Sequence, residues 1–258
     1  MSLSRFSIDK INISCTDMER ALFEIDQAIN TNNWGYICVT NARTTYIANH
    51  NAEYCKIQNN SMLTIPDGTP LVWIAHLKGF KDVKRVSGPD LLYKLLDISD
   101  RNKYSHYFYG STPHTVDSIK KKLKRDYPTV EVKGVISPPF QPIEKFNVDE
   151  LADELNRLKP TFFWCGLGAP KQEHLIALLQ PKVEATICIG IGLAFEYIAG
   201  SVKRPPKWMQ NIGMEGVYNN IRNPSRAKRF MKPFFWIVTR LIESQLGFSR
   251  TSKENTTI

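Results

Sequence analysis

A single carboxylate in a tight turn is the first residue of this 258-residue chain that could do chemistry. Asp67 lies in the segment TIPDGTP (64–70), between an apolar approach and a helical pattern that runs from residue 71 to 79. At the end of a strand, such a carboxylate can act as a general base and take a proton from a hydroxyl group. Pro-Asp-Gly is also a common turn sequence, so the tripeptide alone leaves a purely structural role open.

Two glycine-containing turns could bind an anionic ligand. The turn GLGAPKQE (166–173) follows an apolar run and leads into a helical pattern, and the turn GIG (190–192) follows another apolar run. Such turns aim backbone N–H groups and a helix N-terminus at a ligand, which suits a diphosphate. The P-loop spacing GxxxxGK[ST] and the third glycine of a dinucleotide fingerprint are both absent. Either turn alone could be an ordinary strand-to-helix connection, but together they favour a nucleotide cleft. Its candidate ligand-binding residues are Gly168, Lys171, Gln172, Glu173, Gly190 and Gly192.

A parallel α/β sheet would bring these turns together. Runs rich in β-branched and aromatic residues alternate with helical patterns along the first 200 residues. The runs are 34–39, 104–109, 130–136, 161–167 and 186–190. This alternation predicts an α/β fold with an open, mostly parallel, Rossmann-like sheet flanked by helices. Ligands bind at the carboxyl ends of the strands in such sheets, where the proline-rich loop 136–142 is also expected.

Three helices have recognisable starts. Thr16 and Asp17 open a helix that extends to about Ile29, and Ser87-Gly88-Pro89 opens another that continues through Leu96. Thr112-Pro113 opens the third, and the basic cluster 120–125 falls in its last turns, where positive charge suits the helix dipole.

The chain changes character after about Gly200. Ten Lys and Arg residues lie between positions 203 and 250 against two acidic residues, so most of the net charge of +9 is C-terminal. The pattern predicts one helix over 205–223 and a second from Pro224, kinked or broken at Pro233. We therefore divide the chain into an α/β domain (1–200), which carries the candidate base and the candidate nucleotide cleft, and a helical, basic appendage (201–258).

The second appendage helix mixes basic and aromatic residues, as in the run PFFWIV (233–238). A basic helix with an aromatic face is typical of a segment that lies on an anionic membrane. The same apolar face could instead pack on the core of the domain, or drive self-association into a homo-oligomer. Charge alone leaves nucleic acid, a lipid surface and a diphosphate open as polyanionic partners.

Several classes of protein are excluded or disfavoured by the residues themselves. The five cysteines form no CxxC pair, and Cys38, Cys165 and Cys188 lie within predicted strands, which indicates reduced core thiols. No signal peptide and no apolar stretch long enough to span a membrane is visible, so we expect a protein that is neither secreted nor integral. The five histidines show no ligand spacing, and we predict no metal site and no cofactor.

Seven motifs resemble those of the WecG/TagA/CpsF glycosyltransferases, which form glycosyltransferase family 26, and the resemblance covers about residues 10–232. The motifs are TNA (40–42), PDG (66–68), KRVSGPD (84–90), FYGS (108–111), GAPKQE (168–173), GIG (190–192) and GSVKRPP (200–206). The resemblance implies a hexosyltransferase that works without a metal ion and inverts the sugar. It implies transfer from a UDP-sugar donor to an undecaprenyl-diphosphate-linked saccharide, in the biosynthesis of cell-surface polysaccharide, exopolysaccharide or teichoic acid linkage units.

The resemblance also assigns roles to individual residues. The family's proposed base falls on Asp67, its pocket asparagine on Asn41, its pocket arginine on Arg85 and its donor-side glutamine on Gln172. Arg85 could neutralise charge on the diphosphate leaving group, a task that a metal ion performs in other transferases. From sequence alone, a surface ion pair is the other reading of Arg85.

In the appendage, Arg226 and Arg229 match family positions that serve the acceptor diphosphate at the membrane. Asn219 stands where a third arginine is usual, and Arg222, three residues further on, could substitute for it on the same helix face. Glu196 replaces a usual aspartate and keeps its charge. The resemblance thus implies a peripheral location on an anionic membrane surface, at the cytoplasmic side of the bacterial cell membrane.

Two other classes of function compete with this one. A non-catalytic polyanion-binding α/β module would show a nucleic-acid motif, or cations and aromatics across a sheet face, and we find neither and expect no nucleic-acid partner. A dinucleotide-dependent oxidoreductase would need a GxGxxG turn after its first strand, and residues 39–43 form no such turn. The motifs leave the donor sugar open among N-acetylmannosamine, its uronic acid and glucose types.

Overall fold

The structure is a computed structural model that describes residues 3–211, 215, 218 and 224–246, without the side chains of residues 211 and 224–230. Its strands are β1 (Arg5–Ile8), β2 (Ile11–Ser14), β3 (Tyr36–Thr40), β4 (Leu63–Pro66), β5 (Ser105–Gly110), β6 (Glu131–Ile136), β7 (Phe162–Gly166) and β8 (Ile187–Gly190). Its first six helices are α1 (Met18–Asn30), α2 (Ala42–His50), α3 (Ala52–Asn60), α4 (Thr69–Leu77), α5 (Gly88–Asn102) and α6 (Pro113–Asp126). The others are α7 (Val148–Leu158), α8 (Lys171–Leu179), α9 (Ala194–Ala199), α10 (Lys207–Asn211) and α11 (Pro224–Gln245). Short 3-10 turns lie at Ile143–Lys145 and Gln180–Lys182.

Six strands form one sheet in the order β4-β3-β8-β7-β5-β6, and every neighbouring pair is parallel. The central strands are continuous apolar runs, because a parallel sheet with helices on both faces buries both sides of each strand. All five predicted strands are present, and the predicted α/β class is confirmed. Two parts of the fold were not predicted: the antiparallel hairpin β1–β2, and β4, which immediately precedes Asp67.

The hydrophobic core lies on both faces of the sheet. On one face, α1, α5, α6 and α9 pack residues such as Ile25, Leu92 and Ile119 against the strands. On the other face, α7 and α8 contribute residues such as Leu155 and Leu175. Cys38, Cys165 and Cys188 are fully buried within their strands, as predicted.

The caps fix the helix starts that the sequence predicted. The side chains of Asp17, Ser87 and Thr112 accept hydrogen bonds from the first turns of α1, α5 and α6. Helix α5 continues six residues beyond the predicted end at Leu96, to Asn102. The capped starts were readable, whereas the end of α5 is set by Lys103, which adopts a left-handed conformation with φ of 57°.

The appendage differs in part from the prediction. The helix expected over 205–223 begins at Lys207, two residues late, and is described as far as Asn211, after which only Glu215 and Tyr218 are described, both helical. Helix α11 begins at Pro224 as predicted, and it continues through Pro233, so of the predicted kink or break the break is wrong. None of the described helices is both long and apolar enough to cross a membrane.

Some apolar residues of helix α11 are buried against the domain and others are exposed to solvent. Ile237 is fully buried in a cluster with the β1–β2 hairpin, α2 and α4, and Trp236 and Leu241 pack against the same cluster. Phe235, and Leu246 directly after the helix, are exposed, by 61% and 65%. Packing on the domain, one of the three interpretations of this helix, therefore accounts for only part of its apolar surface.

Candidate active site

A cavity of about 1050 Å³ opens at the carboxyl ends of the strands. Its walls come from the segments that follow β3, β4, β5, β6, β7 and β8, together with Glu215 and residues of α11. The volume is at the upper end of the range for small-molecule sites, which run to about 1000 Å³. The two glycine turns lie together in this cavity, as the sequence predicted.

Strand register places Asn41 beside Asp67. Thr40 at the end of β3 pairs with Pro66 at the end of β4, so the next residue of each strand leaves the same edge of the sheet. The backbone N–H of Asp67 donates to the carbonyl oxygen of Thr40 at 2.7 Å, which fixes the turn. Two residues that are 26 positions apart are thereby held side by side on the cavity wall.

The Asp67 carboxyl is suited to proton transfer near neutral pH. Its side chain is one-fifth exposed, at the cavity wall. Burial raises the pKa of Asp67 to about 7; the Arg85 cation opposes this rise, and the charges of Glu215 and Asp90 add to it. A carboxylate with a pKa in this range can accept a proton and still be ionised in a useful fraction of molecules.

Arg85 is engaged by two carboxylates at once. Its Nη2 lies 3.1 Å from Asp67 Oδ1 and 2.6 Å from Glu215 Oε2, and its Nε donates to the backbone oxygen of Asp67 at 2.9 Å. Burial works against the Arg85 charge, but the two carboxylates outweigh it and raise the pKa of Arg85. The pocket arginine thus lies where the resemblance implied, and its positive charge is already compensated.

Glu215 is a site residue that the sequence analysis missed. It lies in the appendage, is mostly buried and reaches the cavity wall. Its second oxygen is 3.5 Å from Arg204 Nε, and Arg204 in turn forms a two-pronged pair with Asp90, at 2.6 and 3.2 Å. The sequence did contain a signal for this residue, because Glu215 is one of only two acidic residues, against ten basic ones, over 203–250.

Five charged side chains form a continuous series of ion pairs, which we call the ion-pair chain. Its members are, in order, Asp67, Arg85, Glu215, Arg204 and Asp90. It joins the motif RVSGPD to the motif GSVKRPP, and both to the appendage. The first link is the candidate base itself. The placement of the appendage and the state of Asp67 are therefore physically connected.

The Asn41 side chain serves helix α2 as well as the cavity. Its Oδ1 accepts hydrogen bonds from the backbone N–H groups of Arg43 and Thr44, at 3.0 and 3.3 Å, and Thr44 Oγ1 accepts from the Asn41 N–H in return. This capping box uses the amide oxygen. The group that Asn41 can offer to a ligand is consequently its amide NH₂, which has no hydrogen-bond partner among the described residues.

Gln172 and Glu173 form a supporting layer behind the glycine turns. Gln172 Oε1 accepts from the N–H of Gly168 at 3.0 Å, and its Nε2 donates to Glu173 Oε1 at 2.8 Å. Gln172 lines the cavity, whereas Glu173 is fully buried and does not. Direct contact between Glu173 and a ligand, as the sequence analysis expected, does not fit this placement; Glu173 holds Gln172 instead.

Two of the glycines are required by geometry. Gly168 has a φ of +82°, a conformation that side-chain-bearing residues rarely adopt. A Cβ atom at Gly190 would lie 3.1 Å from the Gln172 side chain, so a larger residue would displace that glutamine. Together with Gly192, they let the backbone of both turns approach the cavity closely.

The predicted appendage arginines lie outside what the structure describes. This applies to Arg222 as a whole and to the side chains of Arg226 and Arg229, whose backbone belongs to α11. Among the described residues, no group of three or more His, Cys, Asp or Glu side chains is placed to hold a metal ion.

Over residues 6–250, the chain matches the model of the Glycosyl transferase WecG/TagA/CpsF family. It is also similar to proteins named N-acetylglucosaminyldiphosphoundecaprenol N-acetyl-beta-D-mannosaminyltransferase. The protein of that name from Bacillus spizizenii is 28% identical over 203 residues, which cover 79% of this chain and 77% of the relative. The one from Bacillus subtilis is 26% identical over 221 residues, covering 86% and 83%. The one from Staphylococcus aureus is 25% identical over 203 residues, covering 78% and 76%.

Proposed function

Because the chain belongs to the WecG/TagA/CpsF family and is a glycosyltransferase, we propose that it moves a sugar, with inversion, from a UDP-sugar to an undecaprenyl-diphosphate-linked saccharide. The observation that carries this proposal is Asp67, a carboxyl with a pKa raised to about 7 on the wall of a cavity at the strand ends. The names of the relatives make N-acetylmannosamine the first donor sugar to test and GlcNAc-diphosphoundecaprenol the first acceptor.

The reaction needs one base and one leaving group. The acceptor hydroxyl oxygen attacks the anomeric carbon of the donor as the bond from that carbon to the diphosphate oxygen breaks, and the sugar is inverted. The hydroxyl proton passes to Asp67, and UDP departs with the electron pair of the broken bond. Arg85 holds the Asp67 carboxyl through its side chain and backbone oxygen, which keeps the base oriented towards the cavity.

The exposed apolar side chains support an acceptor that is held in a membrane. Five apolar side chains are each between 47% and 65% exposed: Trp73 and Leu77 on α4, Phe235 and Ile242 on α11, and Leu246 directly after α11. Helix α4 packs against α11. Pro70 of α4 and Phe234 of α11 line the cavity, so this apolar surface begins at its mouth. With the basic residues of the appendage, the pattern fits a peripheral protein on an anionic membrane surface.

We assign separate roles to the α/β domain and to the appendage. Residues 1–200 provide the sheet, the glycine turns and the base, and residues 201–258 cover one side of the cavity and contact the membrane, at the cytoplasmic side of the bacterial cell membrane. Glu215 and Ile237 support this division, because both come from the appendage and both line the cavity.

UDP release by the purified protein tests the proposal. A panel of UDP-sugars is offered in detergent, with and without a short-chain polyprenyl-diphosphate-GlcNAc acceptor. We expect release that requires both the acceptor and one donor. In Asp67→Asn, kcat should fall by at least about 100-fold because the base is lost, while UDP binding stays. Near-normal turnover in that variant would remove Asp67 from the mechanism, and no acceptor-dependent release from any donor would overturn the proposed reaction.

A further inference from the structure

The charges on the cavity wall decide where a donor diphosphate can bind. Among the described residues, the charged ones that line the cavity are Arg43, Lys171, Arg85, Asp67, Glu196 and Glu215. A nucleoside diphosphate brings several negative charges into a partly buried space, and this costs free energy unless cations with uncompensated charge receive it. The cations differ sharply in this respect.

Arg85 is poorly placed for this role. Two carboxylates, Asp67 and Glu215, contact the same Nη2 atom of its guanidinium. A diphosphate that recruited Arg85 would have to compete with Glu215 and would also loosen the hold on the base. The leaving-group role that the resemblance implied for Arg85 therefore conflicts with its contacts.

The hydrogen-bond partner of Arg43 within the described part of the chain is a neutral group. Arg43 is the second residue of α2, directly behind the Asn41 cap, and its Nη1 donates to the backbone oxygen of Ala169 at 3.0 Å. No carboxylate of the described residues forms an ion pair with it. The Arg43 charge acts on the buried carboxyl of Glu173. Burial raises the pKa of Glu173 to about 7, although several hydrogen bonds and the Arg43 charge oppose this rise.

Lys171 lies at the other side of the same turn. It is the first residue of α8, its Nζ donates to the backbone oxygen of Gln141 at 2.7 Å, and it stands 4.8 Å from the centre of the Phe140 ring. These partners are also neutral, and no described carboxylate forms an ion pair with Lys171. Helix α8 begins without a side-chain cap, so its N-terminus adds positive potential here.

We propose that Arg43, together with Lys171, binds the diphosphate of the nucleotide-sugar donor across the turn formed by Gly168, Ala169 and Pro170. The inference rests on the proposed function and assigns its donor subsite. Arg43 was not singled out by any motif. Arg85 then serves to position the base. The departing UDP stays bound to Arg43 and Lys171, and the ion-pair chain does not have to rearrange.

Calorimetric binding of UDP, uridine and inorganic pyrophosphate to the full chain tests the assignment. Arg43→Gln should weaken UDP and pyrophosphate by about 10-fold or more, as expected for a lost charge-assisted contact, and change uridine less than twofold. Arg43→Lys should recover most of the UDP affinity, and Lys171→Gln should repeat the pattern of Arg43→Gln. Arg20→Gln is the matched control, because Arg20 pairs with Glu24 on α1 and does not line the cavity.

The affinities of the variants decide whether Arg43 binds the diphosphate. Unchanged UDP affinity in Arg43→Gln, or an equal loss for uridine and UDP, would overturn the assignment, and so would a loss of UDP affinity confined to Arg85→Gln. If the unmodified protein bound UDP but not through Arg43, only this inference would fail. If it bound neither UDP nor pyrophosphate, the UDP-sugar donor of the proposed function would fail with it.

Discussion

Replacing Glu215 by Gln should move the pH at which the enzyme becomes active. The Asp67 carboxyl must be ionised to act as a base, so activity rises as the pH rises through its pKa, which burial places at about 7. The charged groups that face Asp67 are Arg85, Glu215 and Asp90. Removing the negative charge of Glu215 favours the ionised form of Asp67, and it also frees Arg85 to interact with Asp67 alone. Both effects lower the pKa of Asp67.

The structure gives the size of the shift. The carboxylates of Asp67 and Glu215 contact the same nitrogen of Arg85, at 3.1 and 2.6 Å, so these two oxygens are no more than about 6 Å apart. Two charges at about that distance interact by about 3 kcal/mol at an effective dielectric constant of about 20. This corresponds to about two pH units, of which the partly exposed site and the shielding by Arg85 leave about one. We expect the midpoint of the acid limb to fall from about pH 7 to about pH 6.

The assay is kcat/KM for the donor between pH 5 and pH 9 at saturating acceptor, because this ratio reports the pKa of the enzyme form to which the donor binds. Glu243→Gln is the control, since Glu243 is the other acid of the basic segment and pairs with Arg240 on α11. Its midpoint should not move. An unmoved or raised midpoint in Glu215→Gln would refute the reasoning, because it would mean that Glu215 does not act on Asp67 in the working enzyme.

Two further predictions concern stability and membrane contact. Burial raises the pKa of Glu173 to about 7, so this carboxyl destabilises the folded state increasingly as the pH rises from its ordinary value near 4.5 through 7. Urea unfolding at pH 5 and pH 8 should therefore show that Glu173→Gln is stabilised, relative to the unmodified protein, by about 2.5 kcal/mol more at pH 8 than at pH 5. An equal pH dependence of both proteins would contradict this. The double variant Phe235→Ser and Ile242→Ser should sediment less with vesicles of phosphatidylglycerol and phosphatidylethanolamine, whereas Leu178→Ser, which removes an equally exposed leucine on α8, should not. Equal binding by all three proteins would show that this face of α11 is not what contacts the lipid.

The sheet was readable from the sequence where a strand is a buried apolar run of ordinary length. Four of the five predicted strands have this form, and the edge strand β6 is only partly buried. Strand β4 is as long as β8, but it ends in a proline and leads directly into the turn at Asp67, so its pattern merges with that turn. The hairpin was missed for a different reason. Phe6, Ile8, Ile11 and Ile13 do alternate with more exposed residues, but the turn between them contains Asp9 and Lys10 rather than an Asn-Gly or Asp-Gly pair.

The site was partly readable for a topological reason. Asn41, Asp67 and the two glycine turns follow strands of one parallel sheet, and the carboxyl ends of such strands meet at one edge whatever the details of packing. The partners of Arg85 and the isolation of Arg43 depend on which side chains the folded chain brings within a few ångströms. No spacing along the sequence records that Glu215 returns to a site formed 130 residues earlier.

A shortened version of this protein would be a different catalyst and not merely a more tractable one. Cutting the chain ahead of Glu215 would remove the second carboxylate from Arg85 and leave Arg204 and Asp90 as a separate ion pair. The protonation of Asp67 would then change along with any loss of lipid contact. Activities measured on full-length and trimmed forms at one pH would confound the two effects, and only complete pH profiles of both forms could separate what the tail does at the membrane from what it does to the base.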